Sequence, residues 1–218
     1  MRPEALYVLQ SAFRNPKSKM PPLVLGTHNR KKAVELGDLV APLGLDVVTL
    51  ADLAHALDVD EDGQTFAENA CKKARQQAIQ LERWVLAEDS GLCVDALEGR
   101  PGVFSARFAG EKATDGDNNR RLLDELEGVS PDKRSAHYAC HMALADPTGE
   151  IRGESHGTCG GRIRTEPVGT NGFGYDPLFE IVELHRTFGE LPAVVKRAIS
   201  HRARALTQIS YYLRALRV

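Results

Sequence analysis

Four short segments of the chain hold residue types that could do chemistry. Glu88-Asp89-Ser90-Gly91 follows the apolar run Trp84 to Ala87. Two adjacent carboxylates at the end of a strand suit Mg²⁺, which takes oxygen ligands and keeps several waters, or the positioning of a water molecule. Ligands of open α/β sheets collect at that edge; a solvated turn that closes the strand fits the pattern equally. Thr27-His28-Asn29-Arg30-Lys31-Lys32 lies between a strand and a helix start, where free amides and the helix dipole favour an anion. The glycine-lysine spacing of a P-loop is absent, and an ordinary capped helix with a basic first turn is the simpler alternative.

The third segment is Thr170-Asn171-Gly172-Phe173-Gly174-Tyr175-Asp176-Pro177. Its glycines let the backbone approach a ligand, Phe173 offers a stacking face, and Asp176 offers two acceptors. A nucleobase needs a stacking face and polar partners together, although a glycine-rich hairpin with a packed aromatic has the same composition. The fourth is Lys196 with Ser200-His201-Arg202, a set of donors of the kind that read a carbonyl oxygen and a ring nitrogen, as Arg does on guanine. A basic surface helix is its alternative.

The elements that must position these groups follow from hydrophobic period. Leu23-Val24-Leu25 reads as a buried strand, and Ala33, Leu36, Val40 and Leu43 form the apolar face of a helix that Gly44 stops. Leu45 to Leu50 reads as a second strand. Thr65 and Glu68 have capping-box spacing, ahead of a helix with Phe66, Ala70, Ala74, Ala78 and Leu81 on one side. Trp84 to Ala87 is a buried strand that ends in Glu88 to Gly91, with Leu92 to Val94 extended beyond. A helix is expected over about Asp117 to Glu127. Ser135 to Ala145 alternates as a strand, Asp146 to Gly149 turns, and Glu150 to Ser155 returns as its partner, with Gly157 to Ile163 extending the sheet. Ala205, Leu206, Ile209, Leu213 and Leu216 mark a last helix, which either starts at Ser200 or extends backwards through Ala198 and Ile199. Strands and helices alternate and then a hairpin enters, so the fold class is α/β with a mixed central sheet and flanking helices.

Composition bounds the function. The chain has 218 residues, with 28 Lys+Arg against 30 Asp+Glu and 42% apolar residues. A dedicated nucleic-acid binder carries a basic excess, and a disordered chain lacks this apolar content, so neither is expected. The charge is unevenly placed. Asp46 to Glu68 is acidic with no Lys or Arg, whereas Arg30 to Lys32 and the segment after Glu183 are basic. The cysteines Cys71, Cys93, Cys140 and Cys159 form no C-x-x-C, which argues against a structural zinc site. Without a secretory signal they read as buried thiols of a reducing compartment. No run reaches the ~18–20 apolar residues of a membrane helix. Residues 1–21 read as a partly ordered extension, and residues 22–218 as a single domain.

In this order the pieces THNRKK, TFAENACKKA, AEDSGLCVDALEGRPGVFSARFAG, TNGFGYDP and AISHRARAL resemble the inosine triphosphate pyrophosphatase family, the non-standard purine nucleoside triphosphate pyrophosphatases, over about Leu23 to Leu216. The resemblance implies an elongated, two-lobed α/β fold with a deep cleft, a homodimer, and a cytoplasmic Mg²⁺-dependent enzyme. Its reaction would convert ITP, dITP and XTP to monophosphate and pyrophosphate. By the same resemblance Thr27, Asn29 and Lys32 match phosphate-binding positions, and Asp89 the Mg²⁺-binding, water-activating carboxylate. Ser90 is an adjacent substrate contact and Arg107 a cation that reaches the phosphates. Phe173, Gly174, Tyr175 and Asp176 match the base-binding segment, and Lys196, His201 and Arg202 the positions that recognise the 6-keto purine. Glu88 stands where Asp is common among bacterial relatives. Either it, Asp58 or another member of the Asp58–Asp62 run is the expected second metal contact. Two other readings stay open: a pyrophosphatase for other modified nucleotides on the same fold, and a nucleotide-binding regulator without turnover.

Overall fold

The computed structural model describes residues 21–216. The extension expected over residues 1–21 therefore lies outside the described residues, apart from Pro21. The core is a seven-stranded mixed sheet in the order β2-β1-β3-β4-β5-β6-β7, made of β1 (Leu23–Leu25), β2 (Val47–Thr49), β3 (Val85–Val94), β4 (Ser135–Ala145), β5 (Ile151–Ile163), β6 (Phe179–Ile181) and β7 (Arg186–Thr187). β1 runs parallel to β2 and β3, and all other neighbours are antiparallel. The helices are α1 (Arg30–Val40), α2 (Phe66–Leu81), α3 (Asp115–Glu125), α4 (Ala193–Ile199) and α5 (His201–Ala215).

Pleat parity sorts the strands' side chains onto two faces. Leu23, Leu25, Leu86, Cys140, Met142 and Leu144 pack against Leu36 and Val40 of α1 and Leu206, Ile209 and Leu213 of α5. Val24, Val85, Ala87, Ala143 and Ala145 pack against Ala70, Ala74 and Ala78 of α2. The close seat of α5 on β5 requires a glycine at 157, because a Cβ there would lie 2.3 Å from the His201 carbonyl oxygen. β3, β4 and β5 continue past this three-layer region into a second core, where Leu92, Val94, Tyr138, Phe179 and Phe188 meet Leu122 of α3.

One expectation is corrected here. Glu88-Asp89-Ser90-Gly91 is not the end of a strand. β3 is continuous from Val85 to Val94 because β4 pairs with every position of it, Asp89 opposite His141 among them. What ends is β1, whose pairing to β3 stops at Leu25 opposite Leu86. Beyond that point β3 has a neighbour on one side only, and the cleft opens on the other. The helix expected to start at Asp117 starts at Asp115, with Thr114 capping it through Asp117. Ser200 resolves the C-terminal alternatives by serving both: α4 ends on it, and its hydroxyl accepts from Ala203 N to start α5.

Candidate active site

The strand edge splits its own acidic pair. Glu88 and Ser90 share the face of Leu86, toward α1 and α5, and Asp89 shares the face of Ala87, toward α2. On the α2 side, Asn69 Nδ2 donates to Asp89 Oδ2 at 3.0 Å and the Ser90 amide donates to Asp89 Oδ1 at 2.9 Å. Lys73 Nζ lies 3.7 Å from Asp89 Oδ1 and 2.8 Å from Glu61 Oε2. Asp89 is buried. Burial pushes its carboxyl above the ordinary range, Lys73 and Lys32 oppose the shift, and the neighbouring Glu61 charge adds to it. Glu61 is held below its ordinary range. Burial works to raise it, but the Lys73 ammonium prevails. Two carboxylates with one close ammonium between them leave negative charge over, which is the donor set a hard cation prefers.

Helix α2 delivers these partners by its register. Thr65 accepts from the Glu68 amide while Glu68 bonds back to the Thr65 amide, so the expected capping box forms. Asn69, Lys73 and Gln77 then recur at every fourth position and are all buried. Asn69 also fixes the acidic loop, its Oδ1 accepting from Gly63 N at 2.8 Å.

On the other face, Glu88 is only 1% exposed. It lies 3.3 Å from both Lys32 Nζ and Arg202 Nη2, and Cys140 Sγ donates to it at 3.2 Å. Burial works to raise the Glu88 carboxyl, but Arg202, Lys32 and Lys73 hold it well below the usual carboxylate range. Its oxygens are engaged by cations on the face away from Asp89, so the expectation of Glu88 as second metal contact is not met. Asp58 is exposed, and the member of the acidic run that stands beside Asp89 is Glu61.

A cleft lies next to this edge, lined by Asn29, Lys32, Ser90, Phe173, Gly174, Tyr175, Asp176, Lys196, His201 and Arg202 among others. Ten of the predicted residues thus come together around one space. Asp89, on the α2 side of the strand, Thr27 and Arg107 are not part of the lining. Thr27 Oγ1 accepts from Asn29 N, and Asn29 Oδ1 accepts from the amides of Lys31 and Lys32 to cap α1. Arg107 reaches the Glu61 carbonyl at 3.2 Å and packs over Phe104, so it supports the acidic loop from outside the cleft.

Within the cleft Lys196 Nζ bonds Asp176 Oδ2 at 2.5 Å and Glu35 Oε1 at 2.7 Å. Asp176 Oδ2 also accepts from Phe173 N at 2.8 Å. That turn needs glycine at 172, where φ is +73° and a Cβ would strike Asp176. Asp176 is therefore the brace of the loop rather than a pair of free acceptors. Arg202 is clamped by Glu35, Glu88 and Ser90, and Phe173 faces Lys196 at 4.7 Å and Arg202 at 5.9 Å. His201 stacks on Tyr138 at 4.7 Å, and burial drives its imidazole well below the ordinary range, so it is neutral. Two buried nitrogens here have no partner, His201 Nδ1 and Arg202 Nε. Asn69, Lys73 and Glu35 carry much of this geometry and were not singled out from the sequence. The signal lay in the period of four that aligns Asn69, Lys73 and Gln77 beside the alanine stripe of α2.

The Ham1 family matches residues 23–212. A dITP/XTP pyrophosphatase of Rhodopirellula baltica is 56% identical over 189 residues, 87% of this chain and 91% of the relative. A dITP/XTP pyrophosphatase of Desulforamulus reducens is 48% identical over 194 residues, covering 89% and 96%. Among solved structures, a HAM1 protein from Coxiella burnetii superposes with a TM-score of 0.80 at 40% identity, over 89% of this chain and 98% of that one.

Proposed function

The chain belongs to the Ham1 family, and from that premise we propose that it is a nucleoside triphosphate pyrophosphohydrolase that converts dITP, XTP and ITP to the monophosphate and pyrophosphate. The observation that carries the proposal is the shared strand edge. Asp89, which stands with Glu61 on Lys73, and Ser90, which lines the aromatic-cationic cleft, are consecutive residues of β3. A nucleotide with its base in the cleft beside Phe173 would lead its phosphates past Lys32 toward Asp89.

Water attacks the α-phosphorus and a new P–O bond forms there while the bond from that phosphorus to the bridging oxygen breaks, and the bridging oxygen leaves as part of pyrophosphate. Asp89 orients that water and accepts its proton, and the Asn69 amide and Ser90 backbone hold Asp89 for the task. The cofactor proposed is Mg²⁺, which Asp89 and Glu61 would hold with their oxygen donors. Mg²⁺ supplies charge neutralisation of the phosphates and a polarised water. Lys32 stays charged, because Glu88 and Asp89 hold its ammonium above the ordinary range against burial, which works to lower it. Its charge and that of Lys73 oppose the negative charge that develops on the leaving group.

Selectivity for a 6-keto purine follows from the unpartnered nitrogens. Arg202 Nε is a donor, and neutral His201 donates when its proton is on Nδ1; an O6 acceptor satisfies them. The 6-amino group of adenine would set donor against donor and leave buried groups unpaired. A homodimeric assembly and a cytoplasmic location complete the proposal and rest on the motif resemblance. A nucleotide panel with pyrophosphate detection, run with and without Mg²⁺, tests it. Preference for ITP, dITP and XTP over ATP is expected, and turnover of ATP equal to that of the three 6-keto substrates would overturn it.

A further inference from the structure

Behind the reactive strand edge lies a second group of ligand-type side chains that the proposed reaction does not use. Cys71 on α2, His141 on β4 and Glu154 on β5 each offer one ligand atom, and all three atoms lie within 4.8 Å of one another. Glu154 Oε2 accepts from Cys71 Sγ at 3.3 Å and lies 2.9 Å from His141 Nε2. The β4–β5 ladder sets Ala143 opposite Glu154, which puts Glu154 on the face of His141, the face that α2 covers. The site is reachable from solvent: the Glu154 side chain is 47% exposed and that of His141 18%.

We infer that Cys71, His141 and Glu154 form a binding site for a zinc-class transition-metal ion, with solvent in the fourth position. Thiolate, imidazole and carboxylate together are the donor set of Zn²⁺, and the mixture is too soft for Mg²⁺. Zn–S bonds of about 2.3 Å and Zn–N or Zn–O bonds of about 2.0–2.1 Å in tetrahedral array need ligand atoms slightly farther apart than the hydrogen-bonded contacts here. Side-chain adjustment of a few tenths of an ångström provides that separation. Burial and the Glu154 carboxylate push the Cys71 thiol up to about 11 in the metal-free chain, so binding releases a proton. The three ligands come from three elements, which is why cysteine spacing in the sequence argued against a zinc site. An ion here would staple α2 to β4 and β5. α2 carries Asn69 and Lys73, and His141 is the cross-strand partner of Asp89, so the staple fixes the scaffold of the carboxylate pair without entering the cleft.

The test uses the full chain, stripped of metal with a chelator. Titration with Co²⁺ is expected to give a near-ultraviolet thiolate-to-cobalt charge-transfer band that saturates at one equivalent and is displaced by Zn²⁺. Cys71→Ser should abolish the band. Glu154→Gln, at a half-exposed position that the fold tolerates, should weaken affinity by more than the roughly 10–100-fold typical of outer-sphere changes. Zn²⁺ at a free concentration a hundredfold above its Kd should raise the melting temperature by roughly 5–10 °C in the unsubstituted chain and not in Cys71→Ser. Absence of the thiolate band, its persistence in Cys71→Ser, or unchanged affinity in Glu154→Gln would overturn the assignment.

Discussion

Glu88 and Asp89 are consecutive residues whose carboxylates stand on opposite faces of β3. Glu88 lies 3.3 Å from Lys32 Nζ and from Arg202 Nη2, and Asp89 accepts from Asn69 at 3.0 Å. The split predicts opposite phenotypes for two isosteric changes. Glu88→Gln leaves buried cations short of a counter-charge and should cost about 3 kcal/mol, the lower end for a broken buried pair. That is a fall in Tm of roughly 6–12 °C for a chain of this size. Glu88 is held well below its unfolded value, so its contribution is present above the unfolded pKa and is lost as pH falls through the folded one. The difference in Tm between Glu88→Gln and the parent should therefore be full at pH 7 and shrink under acid. Asp89→Asn should melt no lower than the parent at pH 7, since the folded state resists ionising this group, while turnover falls by ~10²–10⁴-fold. Thermal melts at several pH values and a pyrophosphate-release assay read both.

Asp89 must be ionised to accept a proton, and its carboxyl is raised by burial and the Glu61 charge against Lys73 and Lys32. In the metal-free chain the acid limb of the Asp89 titration, followed by carboxyl NMR, should consequently lie at a pH above the ordinary aspartate range. Lys73→Gln removes the nearest opposing cation and should move that limb to still higher pH. Asn69→Ala removes a hydrogen bond to the charged form and should move it in the same direction. A limb that stays fixed in both variants would assign the titration to another group.

How much of this site could be read from residues alone depended on the period each element imposes. Helix α2 was legible because the Thr65–Glu68 box and the alanine stripe agree on its start and face. β4 was legible because Tyr138, Cys140, Met142 and Leu144 alternate. The continuity of β3 was not, because Glu88, Asp89 and Ser90 look like a solvated terminus. Their burial depends on partners far along the chain, Lys32, Asn69, Lys73 and Arg202. β6 and β7, at three and two residues, are too short to show a period. Two cysteines also departed from expectation, since Cys71 and Cys93 are only partly buried; Cys71 sits where α2 meets the open side of β5. The chemistry-bearing types were visible in the sequence, but their division between two faces of one strand is a property of the sheet.

Phe173 is the one aromatic side chain in the loop that faces the cleft cations, 4.7 Å from Lys196 and 5.9 Å from Arg202. Stacking of a base on an aromatic ring is worth ~1–3 kcal/mol by alanine substitution. Phe173→Ala should therefore raise KM for ITP by roughly 5–150-fold with a smaller change in kcat, because the ring touches the base and not the reacting phosphorus. Steady-state kinetics on ITP and XTP separate the two constants. An equal loss in kcat and kcat/KM would place Phe173 in the transition state instead.

Glu61, rather than Asp58, stands with Asp89 on Lys73, and this distinguishes two carboxylates that the acidic run leaves equivalent. Chelation should abolish turnover and Mg²⁺ alone should restore it. Glu61→Gln should raise the Mg²⁺ concentration needed for half-maximal activity by roughly tenfold or more, with much of kcat regained at saturating Mg²⁺. Asp58→Asn, at an exposed position, should leave that concentration unchanged. Glu61→Gln also removes a like charge that helps to raise Asp89, so the Asp89 titration of the metal-free chain should shift to lower pH, opposite to Lys73→Gln. Mg²⁺ titrations of activity at pH 7 measure the first effect, and the carboxyl titration of the metal-free chain measures the second. A normal Mg²⁺ requirement in Glu61→Gln would remove Glu61 from the metal site.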